Sequence, residues 1–153
     1  VTRTPWYGFD LDGTLARYDG WVSPDHIGEP VDAMINKAKS IIEQGYEIRI
    51  FTARVSVPEQ KDAATKAIQD WCESHGIGRP KVVCCKDYQM VTCFDDRAEQ
   101  VIPNTGQTVW EYVQDLQKQL VNLQARLDQS SRTQRRNAQK RAQKKLDKTK
   151  KGK

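Results

Sequence analysis

The chain of 153 residues has the length of one ordinary domain, or of one small domain with an appendage. It is 37% hydrophobic and 29% charged, with a mean hydropathy of −0.78, and no stretch approaches the run of about eighteen apolar residues that a membrane-spanning helix needs. The formal net charge of +5 conceals a split: residues 1–131 hold 14 Lys/Arg against 19 Asp/Glu, a net of −5, whereas residues 132–153 hold 11 Lys/Arg against the single acid Asp147, a net of +10. An acidic body with a basic tail calls for two explanations.

The first apolar run, Trp6-Tyr7-Gly8-Phe9, ends in Asp10-Leu11-Asp12-Gly13-Thr14. A short apolar run closed by Asp and Gly predicts a buried strand feeding a tight turn. Residues 15–29 carry Gly20, Pro24 and Gly28 and read as a loop or small flap. Pro30 stands where a helix can begin, and Val31, Met34, Ile35, Ala38, Ile41 and Ile42 recur at helical spacing until Gly45. Glu47 to Thr52 predicts a second strand, and Pro58 to His75 a second helix closed by Gly76. Lys81 to Cys85 and Met90 to Phe94 predict two more strands, the last running into Asp95-Asp96. This order argues for an α/β domain over 1–106, Rossmann-like, with a mainly parallel sheet and helices on both faces.

From Gln107 the character changes. Val109, Val113, Leu116, Leu120, Leu123 and Leu127 follow at alternating steps of four and three, a heptad stripe over a helix expected at 107–129. Two readings stand: a terminal helix packing its first half on the sheet, or a coiled coil joining copies of the chain through residues 109–127. Residues 130–153 have no aromatics and few apolar groups, so they are expected to be disordered or a helical extension.

Four cysteines are present, Cys72, Cys84, Cys85 and Cys93, and none forms a Cys-x-x-Cys pair; His26 and His75 lie far from them in sequence. That spacing argues against zinc. Cys84, Cys85 and Cys93 sit in apolar runs and read as small core residues of a reduced, cytoplasmic protein. No secretory signal is expected at the start of the chain.

In an open α/β sheet, ligands bind beyond the carboxyl ends of the strands. Those ends carry Asp10 and Asp12, then Thr52, then Lys86, then Asp95 and Asp96. Four carboxylates on one edge cannot all ionise without a cation, and an all-oxygen set suits Mg²⁺. Lys86 and Thr52 offer a charge and a hydroxyl to an anion such as a phosphoryl group. The offset of two between the first aspartates suits a nucleophile and a general acid/base, with Gly13 permitting the turn between them and the flap.

Phe-Asp10-Leu-Asp12-Gly13-Thr14, Ile-Phe-Thr52-Ala-Arg54, Val-Cys-Cys-Lys86-Asp and Cys-Phe-Asp95-Asp96-Arg97 occur in this order. The set resembles the four motifs of the haloacid dehalogenase superfamily of phosphohydrolases, over residues 6–104. More narrowly, the chain is similar to small members of that superfamily from bacteriophages and bacteria, including the stretch Val101-Ile102-Pro103-Asn104-Thr105-Gly106. The resemblance implies a phosphomonoester hydrolase in which Asp10 attacks phosphorus and Asp12 protonates the leaving oxygen and then activates water. It implies that Thr52 and Lys86 hold the phosphoryl oxygens. Mg²⁺ would take the Asp10 carboxylate, the Asp12 backbone carbonyl and the Asp96 carboxylate, with Asp95 beside it or reaching it through water. Gly13, Thr14 and Arg54 are the substrate-side candidates.

Many members of that superfamily carry a cap domain, for which the short intervals here leave no room. An open site suits a large substrate, and the fourth motif, Asp-Asp-Arg, resembles that of nucleotidases and end-healing phosphatases. The expected substrate is therefore a nucleotide or a nucleic-acid phosphate end. Arg17, Tyr18, Trp21 and His26 in the flap are candidates for substrate contact or for structure. In the tail, Arg135, Arg136, Lys140, Arg141, Lys144 and Lys145 are candidates for a sequence-independent grip on a nucleic-acid backbone through counterion release. The alternative is a nucleic-acid-binding or scaffold protein that works through the coiled coil and tail, its catalytic set vestigial.

Overall fold

The computed structural model describes the backbone of residues 4–150 and the side chains of residues 4–142. The chain divides into two compact units, Val1–Ala98 and Glu99–Lys153. The division falls earlier than the boundary expected after residue 106, so the stretch 101–106 belongs to the second unit.

The first unit contains β1 (Trp6–Phe9), α1 (Asp32–Glu43), β2 (Glu47–Phe51), α2 (Pro58–Ser74), β3 (Lys81–Val83) and β4 (Met90–Phe94). The four strands form one sheet in the order β3-β2-β1-β4, and every pairing is parallel. Pro58 opens α2 at its first turn, where its missing N–H costs nothing. Gly45, at φ +84, turns the chain out of α1 toward β2. The expected α/β architecture with a parallel sheet is present, and no cap domain interrupts it among the described residues.

The helices α1 and α2 do not flank the sheet as expected; both lie on one face. The steps β1-α1-β2 and β2-α2-β3 cross the sheet in the same direction, and right-handed crossovers then stack their helices on the same side. The register agrees: Tyr7 pairs with Ile48 and Phe9 with Ile50, and these side chains join Ile35 and Ala38 of α1 and Ala64, Ile68 and Cys72 of α2 in one core. Trp6, fully buried, points to the opposite face. There the Arg49 guanidinium lies 4.5 Å from its ring. The segment from β3 to β4 carries Asp87, which accepts from Trp6 Nε1 at 2.8 Å and from Arg49 Nη1 at 3.0 Å. A short connection thus covers Trp6 without a helix.

β3 stops at Val83, short of the expected Cys85. It is an edge strand, paired with β2 alone. Cys84 and Cys85 consequently leave the sheet and are exposed, not core residues; Cys93 is half-buried, and Cys72 is the buried cysteine. Burial pushes the Cys72 thiol up to about 12, which makes it inert.

The second unit opens with a turn held by the Val101–Thr108 bridge and by the Ile102 N–H donating to Gln107 O at 2.8 Å. It continues as α3 (Val109–Lys150), a single helix of 42 residues. Thr108 and Glu111 cap it reciprocally: Thr108 N donates to Glu111 Oε2 at 2.8 Å, and Glu111 N donates to Thr108 Oγ1 at 3.1 Å. The helix runs through the end expected at 129 and takes in the basic segment as a helical extension. Arg135, Arg136, Lys140 and Arg141 are exposed on it, whereas the side chains of Lys144 and Lys145 lie outside the described residues. Among the described residues, no helix is long and apolar enough to cross a membrane.

Candidate functional site

β1 lies between β2 and β4, so the residues just beyond these three strands are neighbours. Asp10 follows β1, Thr52 follows β2, and Asp95 and Asp96 follow β4. The connections leave β1 and β2 in one direction, whereas the chain reaches β4 on the other side of β1. This is the reversal at which open α/β sheets leave a crevice.

A cleft of about 510 Å³ occupies this edge. Its floor is made by Asp10, Asp12, Thr52 and Asp95, with Arg54 and Arg97 as its cations. Tyr18 and Trp21 of the flap form one wall. Phe51, Ala53, Val57, Gln60 and Cys84 complete the lining. Such a site, mostly apolar with a few convergent polar groups, has the character and size of a small-molecule pocket.

Oxygen atoms of Asp10, Asp95 and Asp96 all lie within 4.8 Å of one another. Asp10 is held at the strand end by its N–H, which donates to Phe94 O at 2.8 Å. Desolvation pushes its carboxyl up to about 6; a hydrogen bond from the Leu11 N–H opposes this, and the charges of Asp95, Asp12 and Asp96 add to it. Asp95 accepts from Arg97 N at 2.7 Å, and Asp96 N donates to Thr14 Oγ1 at 3.1 Å. Thr14, buried and expected on the substrate side, therefore orients Asp96. Gly13 also serves Asp96: at φ +88, a Cβ there would stand 2.6 Å from Asp96 Oδ2. Three carboxylates on hard oxygens, with room beside them and no lysine among the cleft residues, are a donor set that fits Mg²⁺.

The Asp12 carboxylate is not part of that cluster. Arg54 Nε donates to Asp12 Oδ2 at 2.7 Å, and Arg54 Nη2 donates to Asp12 Oδ1 at 2.7 Å. Arg54 Nη1 donates to Pro24 O at 3.0 Å and to Ser23 O at 3.4 Å. Its guanidinium lies 5.2 Å from the Trp21 ring. Thr52 is buried, and its Oγ1 accepts from Arg54 N at 3.3 Å, fixing the short 3-10 turn Ala53–Val55 that carries the arginine. The strand end thus places Arg54, and Arg54 ties Asp12 and the flap together.

Lys86 does not line the cleft; it is exposed in the segment between β3 and β4, because β3 ends three residues before it. Arg54 and Arg97 supply the positive charge there instead. Arg17 and His26 line an adjoining hollow of about 190 Å³ that shares Asp12, Tyr18, Trp21 and Arg54. Val57 and Gln60 were not legible as site residues. Their only signal is position: they lie at the start of the helix that follows Thr52.

No family model and no curated protein matches the chain. Among solved structures, it is similar to a conserved protein from Bacteroides thetaiotaomicron at 17% identity and a TM-score of 0.45, over 76% of this chain and 92% of that one.

Proposed function

We propose that the protein is a Mg²⁺-dependent phosphomonoester hydrolase of the haloacid dehalogenase type, acting on a nucleotide or a nucleic-acid phosphate end. The observation that carries this reading is Asp10, a desolvated carboxylate at a strand end that shares its edge with Asp95 and Asp96 and opens into the cleft. Asp10, Asp95 and Asp96 would hold the metal ion, whose charge offsets theirs and that of a phosphoryl group. Asp10 Oδ forms a bond to phosphorus as the ester P–O bond breaks, and the leaving oxygen takes a proton from Asp12. Water then gives its proton to Asp12 and attacks phosphorus, releasing inorganic phosphate and the Asp10 carboxylate. Both Asp12 oxygens accept from Arg54, so one must be released for Asp12 to carry the proton. Thr52, Arg54 and Arg97 line the cleft and would bind phosphoryl oxygens.

The aromatic residues of the cleft lining support the substrate class. Trp21 is 55% exposed and Tyr18 is also exposed, and both line the cleft. Aromatic faces beside such a floor would suit a nucleobase.

The test is a panel of phosphate esters with Mg²⁺, including nucleoside monophosphates, sugar phosphates and 3′- and 5′-phosphorylated oligonucleotides. Turnover is expected to vanish on chelation and in Asp10→Asn. A folded protein with no turnover above that variant on any ester would overturn the reading.

A second reading rests on other residues. Arg132, Arg135, Arg136, Lys140 and Arg141 are exposed on one continuous helix. Such a helix suits a polyanion, so the protein would bind nucleic acid through its tail. Truncation after Gln129 separates the two readings. Hydrolysis of small esters survives it under the first, and salt-dependent nucleic-acid binding vanishes under the second.

A further inference from the structure

The second unit contains a long helix and one short turn, and none of its described side chains is buried. The stability of a helix in a protein comes chiefly from packing an apolar face. Within this unit that face is unfilled. Val109 and Val113 are 36% and 37% exposed, and the stripe opens further along the helix, to 67% at Leu120 and 62% at Leu127. We propose that this stripe is the contact surface for a second copy of the chain, and that two α3 helices pair antiparallel over residues 109–127.

The residue pattern selects the occupant. In heptad terms, Val113, Leu120 and Leu127 take the a positions, and Val109, Leu116 and Leu123 take the d positions. The flanking e and g positions are Trp110, Tyr112, Gln117, Gln119, Gln124 and Arg126. Arg126 alone among them is charged. Glu111, Asp115, Lys118 and Asp128 fall on the outer positions b, c and f. A seam bordered by glutamine and aromatics has almost nothing to repel an identical seam, and nothing that demands a partner of opposite charge. Its end is also marked. The next core positions are Ser130, Gln134, Asn137 and Arg141, which removes the apolar contact beyond Leu127.

The tail sets the direction. Residues 132–153 carry a net of +10 in each copy. Parallel pairing would bring both segments out at one end; antiparallel pairing sends them to opposite ends and also opposes the helix dipoles. Antiparallel layers match Val109 with Leu127 of the second copy, Val113 with Leu123, and Leu116 with Leu120. Each layer thus holds at least one leucine, and no layer is left with valine against valine. Tyr112 then faces Arg126 of the second copy, a cation–aromatic pair.

This inference stands apart from the proposed chemistry and is tested without it. Sedimentation equilibrium on the full chain, at micromolar concentrations and above, is expected to give a dimer. Leu120→Asp places a charge in a central layer and is expected to give a monomer. Leu120 belongs to the second unit, so the melting of the α/β unit Val1–Ala98 should match wild type. A wild-type chain that stays monomeric, a dimer that survives Leu120→Asp with its helix content intact, or a larger closed oligomer would each overturn the proposal. Orientation is read from salt: a parallel dimer would tighten more than about tenfold between roughly 0.1 and 0.5 M salt as the tails are screened, and such tightening would overturn the antiparallel arrangement.

Discussion

Arg54 grips Asp12 with two parallel hydrogen bonds of 2.7 Å, Nε to Oδ2 and Nη2 to Oδ1. The same guanidinium donates to the Ser23 and Pro24 carbonyls, so one side chain sets both the carboxylate and the flap. Its side chain is 5% exposed and that of Asp12 is 19% exposed. A fork of this kind cannot be reproduced by a lysine ammonium. Arg54→Lys is expected to lower kcat/KM for phosphate esters by about 100-fold, as loss of a positioned donor does. Arg54→Ala leaves Asp12 and two flap carbonyls without their partner and should cost about 3 kcal/mol in urea unfolding. Wild-type turnover and stability in both variants would show that the pair does neither job.

Gly13 and Gly45 make a matched test of the carboxylate cluster. Both have positive φ, +88 and +84, so alanine strains the backbone at either by about 1–2 kcal/mol. Only Gly13 faces a side chain: its added Cβ would meet Asp96 Oδ2 at 2.6 Å, whereas nothing lies within 4 Å at Gly45. Gly45→Ala is expected to lower Tm yet keep a rise in Tm on adding Mg²⁺. Gly13→Ala is expected to lower Tm and lose that response, because Asp96 is displaced. A Mg²⁺ response retained in Gly13→Ala would remove Asp96 from the metal set.

The Asp10 carboxyl rises from its ordinary 3.8 to about 6 through desolvation and its acidic neighbours. Between these values the folded chain holds more protons than the unfolded chain, so stability falls as pH rises. The contribution is fully present below pH 3.8 and is lost as pH passes about 6. In chelator, Asp10→Asn removes the charge that is disfavoured there. Its Tm is expected to exceed that of wild type at pH 7.5 and to approach it near pH 4. A Tm difference that stays constant across that range would mean Asp10 does not titrate as its surroundings require.

Much of this site was legible because parallel strands align their ends. Asp10, Thr52, Asp95 and Asp96 each follow an apolar run, and a parallel sheet brings such positions to one edge. Lys86 was misplaced by the same logic. Val82-Val83-Cys84-Cys85 reads as continuous strand, but an edge strand with one neighbour holds the chain only to Val83, and the lysine leaves with the loop. Helix placement was not legible either, because it depends on strand order. Nor does periodicity record that Arg54 reaches back to residues 12, 23 and 24, since those are side-chain contacts across the fold. The long α3 was visible as a stripe, whereas its continuation through the basic segment stood as one of two readings, beside disorder. Lysine, arginine and glutamine have good helix propensity and no apolar period to announce it.

Trp21 offers the sharpest test of the substrate class. Its ring lies over the Arg54 guanidinium at 5.2 Å and keeps 55% of its surface exposed beside the cleft. Structural burial does not explain so large an exposed apolar face, whereas stacking against a base would use it. Base–aromatic stacking contributes about 1–3 kcal/mol, so Trp21→Ala is expected to raise KM for nucleoside monophosphates about tenfold. A sugar phosphate or glycerol phosphate has no ring to stack, and its KM should change little. The comparison also controls for the flap, since a loosened loop or a disturbed Arg54 would weaken all esters alike. An equal loss on both kinds of ester would assign Trp21 to holding Arg54 and remove the argument for a nucleobase.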